Sequence, residues 1–416
     1  MFELDTMAGG LSQLVAYGAQ DAYLTGNPVK SFWKKKFSRY SNFAMESIQQ
    51  DLIGEVGSNR DLTIKLARNG DLVSSIFFEI TLQRGSTSSS TPQPYYSCEQ
   101  LLDYIEVFIG GQNVMSFGHE WLRMHSELYL NQTQSLTYAN MVNWRNEEEG
   151  YIRTFHLPIP LWFDALNFGN ALPLIALQYH DVEIKVRLCD LNNIPGINHN
   201  FTPKIKCYAN YTFLDTTERT WFAQNPHEYI IQQVQTNDFN ISIEPSSKTY
   251  NLPLNFNHPC SSLIWCFTPG KRYHARYTSI EGEQNDEVLS VLESATILFN
   301  GQERFSTRKG SYFSNESTWI GFSGTHVSSG IGAYPFGLHS DKSTPSGTCN
   351  FSRIDSATLR VRTKAAVVIN KHTPGNVDTE TMTTVDSTML NTLLVFAPNF
   401  NVLRIQSGMG GVAYSS

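Results

Sequence analysis

The chain of 416 residues carries 31 Lys and Arg against 38 Asp and Glu, a net charge of −7. Hydrophobic residues make up 41% and charged ones only 17%, which excludes a disordered chain and argues against wholesale wrapping of nucleic acid. The length exceeds one ordinary core and suits two, and no run of about 18 apolar residues offers a membrane span.

In chain order, MFELDTMAGGLSQL lacks the basic start and apolar run of a secretory signal, and Met7 stands as an alternative start. KSFWKKKFSRY (30–40) interleaves Lys30, Lys34, Lys35, Lys36 and Arg39 with Phe32, Trp33, Phe37 and Tyr40. Its plain reading is an amphipathic segment that packs its aromatics and solvates its lysines; its sharper reading is a basic patch facing an anionic surface. LTIKLA (62–67) alternates Leu62, Ile64 and Leu66 inward, with a turn at Asn69-Gly70. EWLRMHSELYL (120–130) puts Trp121, Met124 and Leu128 on one helix face. VEIKVRL (182–188) alternates strictly, as a strand buried on one side does. TTERTWFAQ (216–224) reads as a Thr-capped helix ended by Pro226. ATLRVRT, TILFN and NVLRIQ behave as strands in the second half. Long polar loops are expected at 84–96, 321–347 and 370–388.

Four segments recur in the same order. SIQQ (47–50) matches IIQQ (230–233), SSIFFEI (74–80) matches SSLIWCF (261–267), VFIGGQ (107–112) matches ILFNGQ (297–302), and VEIKVR (182–187) matches ATLRVR (357–362). The offsets are 183, 187, 190 and 175. Collinear echoes at nearly constant spacing argue for a duplicated β unit of about 180–190 residues. Short strands and long loops make each unit an antiparallel sandwich, with the jelly roll a leading candidate. The expected division is 1–215 for the first sandwich, with an extension over 1–28, then a helical linker at 216–226 and a second sandwich at 227–416.

Chemistry is hard to find. HEWLRMH (119–125) spaces its histidines six apart rather than the four of a zinc-protease helix, so His119 and His125 read as ordinary helix residues. PGKR (269–272) lacks the upstream glycine of a phosphate loop, and SGMGGVAY (407–414) follows no strand–helix unit. Glu46, Glu183, Glu293 and Asp355 are carboxylates that the sequence cannot pair across a glycosidase cleft. The six cysteines (Cys98, Cys189, Cys207, Cys260, Cys266, Cys349) show no CxxC and read as free, buried thiols. Six N-x-S/T sequons, at Asn131, Asn200, Asn210, Asn240, Asn315 and Asn350, read as by-products of an Asn- and Thr-rich chain. No catalytic residue, cofactor or metal is expected.

Several stretches carry a family resemblance. MAGGLSQLVAYGAQDAYLTGNP (7–28), NFAMESIQQ (42–50), ALPLIALQYHDVEI (171–184), YTFLDTTERTWFAQNPHEYIIQQ (211–233), LNFNHP (254–259), NGQERFSTRKGSYF (300–313), SGTCNFSRIDSATL (346–359) and NVLRIQSGMGG (401–411) resemble major capsid proteins of large icosahedral DNA viruses. Algal phycodnaviruses are the nearest and iridoviruses lie further off. The resemblance implies an all-β fold of two tandem eight-stranded antiparallel jelly rolls with a few short helices in loops. It implies three chains per pseudo-hexagonal capsomer, capsomers tiling an icosahedral shell, and a virion protein made in the host cytoplasm. It also implies contact of Lys34, Lys35, Lys36 and Arg39 with minor capsid proteins or an internal viral membrane, without direct genome binding, and a candidate glycan site at Asn376 in the PGNVDT loop. The residues before Met7 and the divergent segments 84–98, 268–288 and 314–345 depart from the family and leave room for a minor paralogue of the coat protein. The rival classes are a tandem-sandwich carbohydrate-binding lectin, which would want a signal peptide and paired cysteines, and a β-sandwich glycoside hydrolase.

Overall fold

A computed structural model of the chain describes residues 9–85, 98–144, 148–164, 166–194, 197–242, 247–268, 292–324, 330–363, 369–370, 382–383 and 390–414. Most of the long loops expected at 84–96 and 370–388, and of the divergent segment 268–288, therefore lie outside the described residues, as does Asn376. The chain forms two compact units, Met1–Asn42 and Phe43–Ser416. Of the first, α1 (Gly9–Val15) and α2 (Ala19–Thr25) are short helices with no buried residue.

The second unit holds two sandwiches. The strands of the first are β1 (Phe43–Gln50), β2 (Asp61–Lys65), β3 (Leu72–Gln83), β4 (Leu102–Ile109), β5 (Gln112–Gly118), β6 (Ile152–Pro158), β7 (Val182–Leu188) and β8 (Lys204–Leu214). They pair in the orders β1-β8-β3-β6 and β2-β7-β4-β5, all antiparallel. The second sandwich has β9 (His227–Ser242), β10 (Thr249–Pro253), β11 (Ser262–Thr268), β12 (Leu292–Phe299), β13 (Gln302–Glu303), β14 (Ile331–Pro335), β15 (Ala357–Thr363) and β16 (Leu390–Gln406). Its orders are β9-β16-β11-β14 and β10-β15-β12-β13. Each strand of the first half thus has its counterpart eight strands later, in the same place in the same sheet. This is the jelly-roll arrangement written twice, and the four sequence echoes all fall on counterpart strands.

Period-two patterning builds both cores. Along β7, Val182, Ile184, Val186 and Leu188 are buried, while Glu183, Lys185 and Arg187 point outward. Ile76, Ile80 and Leu82 do the same on β3, and Leu359 and Val361 on β15. The second core centres on Trp265, wholly buried with Leu263, Val395 and Phe313 around it.

The echoing turns share a backbone. Gly110 and Gly111 have φ of 56° and 83°, and Asn300 and Gly301 have φ of 50° and 80°. Two consecutive positive φ values match the twist of the flanking strands, so both tight hairpins need residues that tolerate the left-handed region.

Helix α3 (His119–Leu128) buries Trp121, Met124 and Leu128 on the predicted face. The Trp121 ring meets Phe396 of β16, with centroids 5.8 Å apart, so the first sandwich packs on the outer face of a second-sandwich sheet. A further helix not anticipated, α4 (Gln132–Val142), begins with a reciprocal cap: Asn131 Oδ1 accepts the Gln134 N–H and Gln134 Oε1 accepts the Asn131 N–H. The expected linker helix is α5 (Thr216–Gln224), but its cap is Asp215, whose carboxylate accepts the Thr216 N–H. The carboxylate wins because it supplies a charge at the helix start as well as an acceptor. Helix α6 (Ser317–Gly321) follows a π-helical turn at Tyr312–Glu316.

Candidate interaction surfaces

The basic segment keeps none of its aromatics covered. Phe32, Trp33, Phe37 and Tyr40 are 93%, 97%, 82% and 88% exposed, which overturns the reading in which they pack locally. No regular structure holds residues 26–42; Lys35 Nζ lies over the Phe37 ring at 5.3 Å, and Lys36 Nζ is 3.5 Å from the Val29 carbonyl. Lys34, Lys35, Lys36 and Arg39 are all exposed, on a stretch that alternates cation and ring. Such a stretch gains most from a surface that accepts both, because aromatic area left in water is costly.

On the sandwiches, β1 is an edge strand. It pairs with β8 from Phe43↔Leu214 to Gln50↔Cys207 and, among the described residues, with no other strand. Six of its eight residues are exposed, Phe43 and Met45 among them. Open strand edges present unpaired amides and carbonyls that another chain can cover. Exposed large apolar side chains also stand on α6 (Trp319 at 85%, Ile320 at 60%), at Leu338 and at Tyr179.

Nothing in the described residues assembles into a catalytic or metal centre. His125 stacks on Tyr129 with ring centroids 4.7 Å apart, and His119 Nε2 lies 3.6 Å from Glu120 Oε1. Among the described residues no three His, Cys, Asp or Glu side chains gather as metal ligands would. Glu183 and Glu46 stand outward on separate sheets; Glu293 pairs with Arg362 at 3.0 Å. None of the six cysteines is in a disulfide, and burial pushes the thiols of Cys98, Cys207, Cys260 and Cys266 above the ordinary thiol range, which makes them poor nucleophiles. Asn210 is spent inside a sheet, donating to Ser75 Oγ at 2.7 Å, and Asn131 and Asn350 cap helices.

The closure between the sandwiches is built from specific polar contacts. β17 (Met409–Val412) pairs with β16 and reaches the first sandwich. Val412 N–H donates to Gln112 Oε1 at 3.1 Å, and the Tyr179 N–H donates to the Gly408 carbonyl at 2.9 Å. His180 Nδ1 lies within hydrogen-bond reach of both the carbonyl and the amide of Gly410. The glycine-rich tail is therefore a clasp, and its glycines allow the close approach: a Cβ at Gly410 would press on Leu177.

A model of the major capsid protein N-terminus matches residues 31–215, and a model of the large eukaryotic DNA virus major capsid protein matches residues 218–411. The chain is 41% identical to the major capsid protein of Paramecium bursaria Chlorella virus 1, over 99% of this chain and 100% of that protein. It is 36% identical to the major capsid protein of Pyramimonas orientalis virus, with the same coverage. Among solved structures, PBCV-1 VP54 fitted into a reconstruction of the virophage Sputnik superposes with a TM-score of 0.82 at 37% identity, covering 93% of this chain and 100% of that one. The Faustovirus major capsid protein shares the fold at 8% identity, with a TM-score of 0.68, over 95% of this chain and 96% of that one.

Proposed function

Because the chain belongs to the family of large eukaryotic DNA virus major capsid proteins, and is a structural component of a virion capsid rather than an enzyme, we propose that three copies close into one pseudo-hexagonal capsomer. The observation that carries this reading is the end-to-end match to proteins named as major capsid proteins, which replaces the lectin and glycosidase alternatives. Two like sandwiches per chain give a trimer six similar lobes, and six lobes tile a shell.

The physical demands fit. A shell block needs rigid walls, and the two cores supply them through burial at about 25 cal/mol per Å² of apolar surface. It needs sides that bind, and the open β1 edge and the exposed Trp319 and Ile320 supply candidate area. Obligate interfaces bury on the order of 2,000–5,000 Å². Contacts between capsomers would be weaker and many, so that misplaced blocks can leave.

In this reading the protein is made in the host cytoplasm, and the 30–40 segment lies on the inner side of the shell. There Lys34, Lys35, Lys36 and Arg39 meet minor capsid proteins or the headgroups of an internal membrane. The sandwiches divide at residues 215 and 227, with the helical linker between them. Asn376 is the loop position to inspect for an attached glycan, by peptide mass spectrometry.

Light scattering on the purified protein tests the central claim. A trimer mass at micromolar concentration, with blocks about 75 Å across in negative stain, is expected; a stable monomer overturns it. Removing residues 1–42 is expected to leave trimers intact while blocking their association with inner components.

A further inference from the structure

Cys260 and Cys349 stand directly opposite each other in the second sandwich. The short strands Pro259–Cys260 and Cys349–Asn350 pair antiparallel, and the two cysteines are register partners. Residues so placed have Cα atoms about 4.5 or 5.5 Å apart, according to their place in the ladder, and side chains on one face. A disulfide accepts Cα separations of about 4.4–6.8 Å, so the backbone is already in position. Among the described residues the sheets set no other two cysteines opposite each other. Cys207 faces Gln50 and Phe78, Cys266 faces Ile331 and Leu394, and Cys98 and Cys189 lie outside the strands.

The two thiols differ in the way that exchange chemistry needs. Cys260 is fully buried and Cys349 only half-buried, so an oxidant meets Cys349 first. Burial raises the Cys349 thiol, and the nearby Arg304 guanidinium pulls it the other way, in favour of the reactive thiolate. Burial raises the Cys260 thiol, and the neighbouring Cys349 raises it further, which marks the closeness of the two sulfurs. The Cys260 S–H has weak acceptors, the carbonyls of Asn257 and His258, each at 3.6 Å. A thiol is a poor donor, so little is lost when those contacts break.

We propose that Cys260 and Cys349 close into a disulfide when the protein meets an oxidising environment. The oxidant is a small disulfide of the oxidised-glutathione class. The Cys349 thiolate attacks one of its sulfurs, forms a mixed disulfide and expels one glutathione thiolate. Cys260 then gives its proton to solvent, and its sulfur attacks Cys349 Sγ and expels the second glutathione. Two protein thiols give up two electrons and two protons, and one oxidised glutathione becomes two reduced ones.

The bond would staple the chain just before β11 to the segment leading into β15. Cys260 also pairs with Asn399 of β16, so three segments of the second sandwich are held at one point. The cysteines are 89 positions apart, and a cross-link over so long a loop removes much of the freedom of the unfolded chain. In a capsid protein the thiols stay reduced inside a reducing cell and oxidise outside it, which hardens the block after release. That use rests on the capsid reading, whereas the bond itself does not.

The intact purified protein is held with excess oxidised glutathione or with dithiothreitol, unfolded in an alkylating agent, digested without reductant and read by peptide mass spectrometry. A cross-linked peptide pair joining Cys260 to Cys349, with loss of two of the six free thiols per chain, is expected in the oxidised sample alone. Its thermal midpoint is expected to rise by about 5 °C or more, to fall back with dithiothreitol, and not to move in Cys349→Ser. Cys260→Ala is the second variant, in which Cys349 is expected to retain one glutathione. A wild-type protein that keeps both thiols, stops with glutathione on Cys349, or joins Cys349 to a second copy's Cys349 overturns the proposal. A trimer without the bond sinks this inference and leaves the capsomer reading standing; a bonded monomer does the reverse.

Discussion

Gly110 lies directly against the imidazole of His180, in a position where any Cβ would overlap the ring. Its counterpart in the second hairpin, Asn300, meets no such wall and uses its side chain instead, accepting the Ser356 N–H at Oδ1, 3.0 Å away. One backbone geometry therefore carries two sequences for two reasons. The first half gives up a side chain so that His180 can reach the C-terminal clasp; the second keeps one because nothing crowds it. Gly110→Ala is expected to lose about 2–4 kcal/mol, combining left-handed strain with overlap. Gly111→Ala, at φ 83° but with open space around the new Cβ, is expected to lose about 1 kcal/mol. Urea midpoints of the two variants measure the difference.

Much of this architecture is legible in the residues, and the exceptions have physical causes. Strands such as Val182–Leu188 announce themselves because one face is wet and the other dry. The hairpin echo carries the duplication because positive φ restricts the choice to Gly and Asn. Helix α4 went unanticipated although its N-x-x-Q cap was in view at Asn131 and Gln134; the helix buries only Tyr138 and Val142, so its apolar stripe is too thin to read. The threonines at 216 and 217 drew the cap of α5, although Asp215, the stronger N-cap residue, stands directly before them. The cavity of about 320 Å³ that Tyr129, Asp164 and Asp341 line between the sandwiches was beyond reach. Its walls come from segments roughly two hundred positions apart, and no local pattern links Asp164 to Asp341.

Gln112 and Gln302 occupy matching places after the two turns but do different work. Both are exposed, but Gln112 takes the Val412 N–H of the clasp, and the second turn has no such clasp beside it. Gln112→Ala is expected to cost about 1 kcal/mol, the net value of one hydrogen bond with a partner left to find water. Gln302→Ala is expected to fall within about 0.5 kcal/mol of wild type, as exposed substitutions do. Thermal midpoints measured side by side would separate them, and faster amide exchange over 409–412 is expected in the first variant alone.

Asp71 ties the linker helix to the first sandwich. Its carboxylate, 8% exposed, accepts the Leu214 N–H at 2.9 Å and pairs with Arg219 Nε at 3.1 Å. Asp71→Ala leaves a backbone donor at the end of β8 without its partner, for an expected loss of about 1–3 kcal/mol. Arg219→Ala removes only an exposed partner, and about 1 kcal/mol or less is expected. If the arginine variant proved the more damaging, the pair rather than the backbone bond would be what holds the helix start.

His125 gives the chain an acid sensitivity with a definite sign. Burial holds its imidazole down to about 4, against an ordinary 6.5. The unfolded chain therefore takes up a proton near pH 6.5 that the folded chain refuses until about pH 4. Between those values protons favour unfolding, so the contribution is present in full above about 6.5 and is lost as pH falls toward 4. Trp121 of α3 and Tyr129 just past its end pack around the ring, and the cavity that it lines between the two sandwiches also carries Asp164, Asp341 and Lys342. Asp164 acts in the opposite sense, because burial raises its pKa and so favours the folded form on acidification; wild type and His125→Phe both carry it, so it cancels in their comparison. The imidazole is partly open to the cavity, so the full linkage value is discounted, and about 1–2 kcal/mol is expected at pH 5 relative to pH 7.5. His125→Phe keeps the stacking on Tyr129 and removes the proton site. Its stability is expected to change less than that of wild type between pH 7.5 and pH 5, by that amount; parallel curves for the two proteins would show that the imidazole takes up its proton in the folded state as readily as in the unfolded one.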